Sequence, residues 1–154
     1  MQRPGSSLHN TITLQTPQTD NDWQNYFELR WKILRAPWQQ PPGSERDELE
    51  ENSFHIMAIT QTDQTVGVAR IHQIDLLTAQ IRYMAVLDSL QGTGIGSLML
   101  ARLEKQAQDW KTKTIFLNAR DSALEFYLKK GYIKLAAAQT LYDRIPHTKM
   151  EKQL

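Results

Sequence analysis

Ile81-Arg82-Tyr83-Met84-Ala85-Val86, then Leu87-Asp88-Ser89-Leu90, then Gln91-Gly92-Thr93-Gly94-Ile95-Gly96-Ser97-Leu98-Met99-Leu100 reads as a buried strand, a short loop, a glycine-rich turn and the start of an amphipathic helix. A helix start leaves about four backbone N–H groups without intrahelical partners, and the macrodipole adds partial positive charge there. Glycines let a ligand approach that backbone without meeting a Cβ. The junction is therefore a seat for phosphate. It is not a P-loop, because Gly96 is followed by Ser97 and Leu98 rather than by Lys and Ser/Thr. It is not the dinucleotide fingerprint either: counted from Gly92 the third glycine is Ser97, and counted from Gly94 it is Met99.

The chain has 154 residues, a length that suits one domain with a real core. We expect a loose terminus over 1–10 and a single domain over 11–154. A net charge of +1 gives no electrostatic reason to expect nucleic acid or an anionic membrane. With no cysteine there is no disulfide framework, thiol nucleophile or thiolate metal site. No apolar run approaches the ~20 residues that span a bilayer, and Met1–Ser7 lacks the apolar core of a signal peptide. A cytoplasmic protein is expected. The four histidines (9, 55, 72 and 147) are scattered, so no metal is implied.

Thr11–Gln15 is a β-prone start. Asp20-Asn21-Asp22 offers an N-cap before a helical stripe of Trp23, Phe27, Trp31 and Leu34, which reads as core packing. Glu45–Glu51 is dense in carboxylates and reads as a solvated acidic turn of helix; the functional alternative is a rim that attracts a cationic amine. Phe54–Thr60, Thr65–His72 and Ala79–Val86 form an antiparallel meander. A helix from Gly94 to about Trp110 leads into the apolar strand Thr114–Asn118, and that crossover makes 81–86 and 114–118 parallel neighbours. A short helix over 123–130 ends at Gly131, and strands follow at 132–136 and 145–151.

Gln91-x-x-Gly94-x-Gly96 after a strand ending in Ala85-Val86 resembles the acetyl-CoA signature of the GCN5-related N-acetyltransferases (GNAT). The element order and the segment Asn118…Ala123…Phe126-Tyr127-x-x-x-Gly131-Tyr132 resemble the same family. The ending Tyr142-Asp143-Arg144-Ile145-Pro146-His147-x-x-Met150 is similar to its ElaA-like branch. The resemblance implies an α/β fold with a mixed, mostly antiparallel seven-stranded sheet flanked by about four helices. It also implies acetyl transfer from acetyl-CoA, as co-substrate, to a primary amine, without an acyl-enzyme. Gln91, Gly92, Thr93, Gly94, Ile95, Gly96 and Ser97 would hold the pyrophosphate. The Met84, Ala85 and Val86 backbone would hold the pantetheine arm between splayed strands and polarise the thioester, and Asn118 would reach the cofactor. Tyr127 would be the general acid, since a phenol of pKa ~10 can protonate a departing thiolate.

An alkylammonium must lose a proton before it attacks. The family's base sits on the strand before the glycine turn, where this chain has Gln80 and Arg82. Neither is a base, which leaves a water chain, a base from elsewhere or an acceptor that arrives neutral. Residues 80, 82 and 84 share a face, as do 68, 70 and 72. If Arg70 pairs with Arg82, His72 lies beside Gln80. Four such polar groups on an inner sheet face need partners or a ligand. His72 is then a candidate base or relay, with His147 its rival. Arg70, Gln80, Arg82 and His147 are candidates for acceptor binding, Arg82 through an acceptor carboxylate. The other readings are a peptide-lysine acetyltransferase and a CoA-binding module without activity. An exposed edge strand would permit a homodimer.

Overall fold

A computed structural model describes residues 11–154, so the expected loose terminus over 1–10 lies outside the described residues. One seven-stranded sheet runs through the molecule. Its strands are β1 (Thr13–Gln15), β2 (Phe54–Ile59), β3 (Thr65–Gln73), β4 (Thr78–Val86), β5 (Thr114–Arg120), β6 (Ile133–Leu141) and β7 (Ile145–Gln153). They lie in the order β1-β2-β3-β4-β5-β7-β6. Every neighbouring pair is antiparallel except β4 and β5, which are parallel as the intervening helix requires.

Three α-helices flank the sheet among the described residues: α1 (Asp20–Leu34), α2 (Ile95–Asp109) and α3 (Leu124–Lys129). The expected fourth is missing. Glu45–Glu51 forms turns and a single 3₁₀ turn over Glu50–Asn52 instead, with Asp47 and Glu50 drawn inward, as described below. The cap of α1 also differs from expectation. Thr19 is the N-cap and exchanges bonds with Asp22 in a capping box.

The two sheet faces carry separate cores. α1 covers one face with Tyr26, Phe27, Leu29 and Leu34, against Met57, Val68 and Ala85. The opposite face holds Ile71, Ile81, Ile115 and Leu117 under Met99, Leu100 and Leu103 of α2, with Tyr127 of α3. Strand alternation sorts β5 the same way: Ile115, Leu117 and Ala119 are buried on the α2 face, which sends Phe116, Asn118 and Arg120 to the α1 face.

The meander pairs Arg70 with Arg82 and His72 with Gln80, as parity predicts. One residue further the ladder breaks. Val68 pairs with Ala85, so Tyr83 and Met84 together oppose Ala69 alone. This is a β-bulge, and Tyr83 takes a positive φ of 59° within it. The bulge reverses the alternation. Ala85 and the Tyr83 ring pack on the α1 side while Met84 packs on the other, so the expectation that 80, 82 and 84 share one face stops at Arg82.

Candidate active site

The parallel ladder between β4 and β5 has four pairs, from Thr78–Thr114 to Ile81–Leu117, and then stops. The strands splay beyond it, as an intercalated pantetheine requires. The backbone of 82–86 on that side has no strand partner. The gap widens into a cleft of ≈ 640 Å³ that runs from the glycine turn to the end of α1.

At one end is the turn. Gly92 (φ 79°) and Gly94 (φ 95°) hold left-handed conformations that only glycine adopts without strain. Gly94 is the N-cap of α2 and supplies no side chain, and the first intrahelical bond of that end is Leu98 N–H to Gly94 O. The N–H groups of Ile95, Gly96 and Ser97 therefore point out of the helix start. Gln91 donates to Val86 O (3.3 Å) and Asp88 Oδ1 (3.2 Å), which ties the loop to the end of β4. Gln91, Gly92, Gly94, Gly96 and Ser97 line the cleft. Thr93 and Ile95 offer it no side chain: the Thr93 hydroxyl donates to Leu90 O, and Ile95 is buried in the core. An uncapped positive helix end reached past glycines fits an anionic pyrophosphate.

Midway, the Tyr127 hydroxyl donates to Met84 Sδ at 3.6 Å. Burial pushes the Tyr127 phenol up from its usual pKa, so it is protonated and able to donate. The bulge is what turns Met84 toward it. Asn118 lines the cleft from β5, and Met84, Ala85 and Val86 line it from β4.

Besides Thr93 and Ile95, two residues expected at the reacting end are not in the cleft. Arg70 and His72 are buried, at 0% and 4% exposure, and neither lines the cavity. Arg70 is held by Asp47, through Nη1–Oδ1 (2.7 Å) and Nη2–Oδ2 (3.0 Å), and by Glu50 at 3.0 Å. Glu50 also binds Arg30 at 2.9 Å, and Asp47 binds Arg82 at 3.0 Å. The acidic segment is thus only partly the solvated turn expected: Glu48 and Glu51 are exposed, while Asp47 and Glu50 turn inward. It supplies the counter-charges of three arginines. His72 Nδ1 accepts from Arg70 Nη2 at 3.3 Å. Burial first, and the Arg70 charge next, push its pKa down. Arg70 and His72 support the sheet face rather than touch a substrate, and Arg70 has no acceptor carboxylate to bind. Gln80 and Arg82 do line the cleft.

His147 lines it too. Its Nδ1 donates to Ile145 O at 2.9 Å, leaving Nε2 as the nitrogen with a lone pair in the neutral ring. Burial lowers its pKa against the backbone bonds to Ile145 and Gln139, and the Arg120 charge adds to the fall. Arg120 is its direct cross-strand partner. Arg35, Arg82 and Arg120 are the charged side chains lining the cleft, and no carboxylate lines it. Arg35 and Arg120 escaped the sequence reading, since they are 85 positions apart and no local pattern joins them.

Residues 38–154 match the family model described as Acetyltransferase (GNAT) domain. The chain belongs to the GNAT acetyltransferase family. It is 30% identical over 135 residues to the uncharacterized N-acetyltransferase YjcF of Bacillus subtilis (strain 168), covering 88% of this chain and 95% of that one. The GNAT fold recurs in Escherichia coli ElaA, with TM-score 0.75, 22% identity, and coverage of 92% and 99%. It recurs again in an aminoglycoside 6'-N-acetyltransferase complexed with coenzyme A, with TM-score 0.75, 19% identity, and coverage of 92% and 96%. The order of elements and the mixed seven-stranded sheet agree with expectation; the helix count among the described residues is three rather than about four. None of the described helices is long and apolar enough to cross a membrane.

Proposed function

We propose that this GNAT protein transfers an acetyl group from acetyl-CoA directly to a primary amine of a small molecule, with Tyr127 as general acid. The observation that carries the reading is the Tyr127 hydroxyl, protonated and poised against Met84 where β4 and β5 part. The bound co-substrate supplies an activated acetyl thioester. Gly94–Ser97 amides bind its pyrophosphate, and the unpaired edge of 82–86 takes its pantetheine as an added strand. A β4 amide at the bulge polarises the thioester carbonyl. Tyr127 gives its proton to the leaving thiolate. His147, neutral near pH 7, accepts the amine's proton at Nε2, directly or through water. No cysteine is present to form an acyl-enzyme.

The test is thiol release from acetyl-CoA across amino acids, polyamines, aminoglycosides and lysine peptides, with Tyr127→Phe in parallel. Turnover on a small amine that collapses in the variant supports the proposal. Turnover confined to lysine peptides makes the protein a peptide modifier. Silence throughout, with acetyl-CoA still binding by calorimetry, makes it a CoA-binding module.

A further inference from the structure

The acceptor half of the cleft lies on the α1 face, away from the phosphate seat at α2. There the carbonyl oxygen of Leu34, the last residue of α1, accepts from Arg35 Nη1 at 3.1 Å and from Arg120 Nη2 at 3.4 Å. Two guanidiniums therefore meet at one carbonyl on the cleft wall; Arg35 Nε also donates to Ser44 O at 3.1 Å and its guanidinium lies over the Tyr83 ring, so every partner of the pair is neutral. Neither forms an ion pair with a described carboxylate, although the neighbouring Arg30, Arg70 and Arg82 are all matched to acids. The helix C-terminus offsets part of this charge, but the carbonyls of Leu34 and Ser44 carry no formal charge to neutralise two cations. Burial first, and then the nearby Arg35 charge, lower the Arg120 pKa. Arg82, 39% exposed, lies on the same face, but its charge is met by Asp47 at 3.0 Å.

From these observations, and resting on the transfer reading above, we infer that the amine acceptor carries a carboxylate that docks between Arg35 and Arg120. A guanidinium presents a planar fork of donors that matches a carboxylate. An amine carrying its own anion would neutralise the pair and point its nitrogen toward His147, the cross-strand neighbour of Arg120. A polycation would be repelled by Arg35 and Arg120, with no carboxylate lining the cleft to receive it. The expected acceptor is thus an amino acid or an ω-amino acid, and an aminoglycoside or polyamine is excluded.

The test is calorimetry on the CoA-loaded protein, with γ-aminobutyrate, O-phosphoethanolamine, n-butylamine and putrescine as probes, repeated for Arg35→Gln and Arg120→Gln. The inference expects γ-aminobutyrate to bind about 10- to 100-fold more tightly than butylamine, the range of a charge-assisted hydrogen bond. It expects that advantage to vanish in either variant while CoA affinity holds. Butylamine or putrescine binding as tightly as γ-aminobutyrate overturns it, as does the absence of binding by any probe. An equal loss of CoA affinity in the variants assigns the arginines to the cofactor and also overturns it. Tighter binding of O-phosphoethanolamine than of γ-aminobutyrate overturns it as well, in favour of a phosphate. Because CoA carries no acetyl group, failure of the transfer reading shows separately, as absent thiol release with γ-aminobutyrate binding intact.

Discussion

Asp47 grips Arg70 with both carboxylate oxygens, at 2.7 and 3.0 Å, and the guanidinium it holds is wholly buried. The pair joins a segment that is otherwise loop to the central sheet. Removing the acid would leave a buried charge short of its partner, which costs ~3–5 kcal/mol where no substitute exists. Glu50, 3.0 Å from Arg70, offsets part of that loss. Asp47→Ala is therefore expected to destabilise the protein by roughly 3 kcal/mol, read from chemical denaturation.

The same carboxylate gives stability an acid limb. Burial opposes its ionisation, but the Arg70 hydrogen bonds, the Leu49 amide and the charges of Arg70 and Arg82 prevail and hold its pKa at about 2. A pKa depressed in the folded state stabilises above the unfolded value, ~4. That contribution is lost as pH falls from there toward about 2. Unfolding followed against pH should show this limb, and Asp47→Asn should flatten it.

Tyr127→Phe removes a hydroxyl whose one hydrogen bond is the weak contact to Met84 Sδ. Folding should be unaffected, with the thermal midpoint close to that of the parent. Turnover should fall by about 10²–10⁴, the usual contribution of a positioned proton donor. CoA affinity, measured by calorimetry, should hold.

His147 titrates below its ordinary value, chiefly through burial, and works as a base only when neutral. The acid limb of kcat/KM should therefore lie below pH 6.5, and His147→Gln should abolish it. His72→Gln should leave that limb in place, because His72 faces Arg70 and not the cleft.

Gly96→Ala separates the phosphate seat from the fold. A Cβ at that position would meet only Phe126, at 3.4 Å, an ordinary contact. Stability should be kept while the methyl crowds the helix start. CoA affinity should drop about tenfold, equivalent to ~1.4 kcal/mol.

Much of this architecture was legible in the chain because its signals are local. The glycines of 92–96, the apolar run at 114–118 and the parity of β3 and β4 each encode one element, and the Arg70–Arg82 pairing follows from them. The bulge was not legible. Its residue of positive φ is a tyrosine, the type that least announces a left-handed backbone, and so the face of Met84 was misread. The acidic segment was misread for another reason. Charge density in a sequence looks solvated until its partners are known, and Arg30, Arg70 and Arg82 come from three separate elements. Arg35 and Arg120 meet only because α1 ends beside the far end of β5.

The four-pair seam between β4 and β5 has a mechanical meaning. Strands β1–β4 form one plate and β5–β7–β6 another, paired as strands from Thr78–Thr114 to Ile81–Leu117, with Lys113 and Thr114 N–H also donating to Leu77 O at the same end. A guest wedged in the gap pushes on the plates as on the jaws of a clothes-peg, with that seam as the spring. Backbone amides on either side of the gap should then exchange with deuterium quickly in the empty protein and slowly once the jaws hold a guest, while those of the seam stay slow in both.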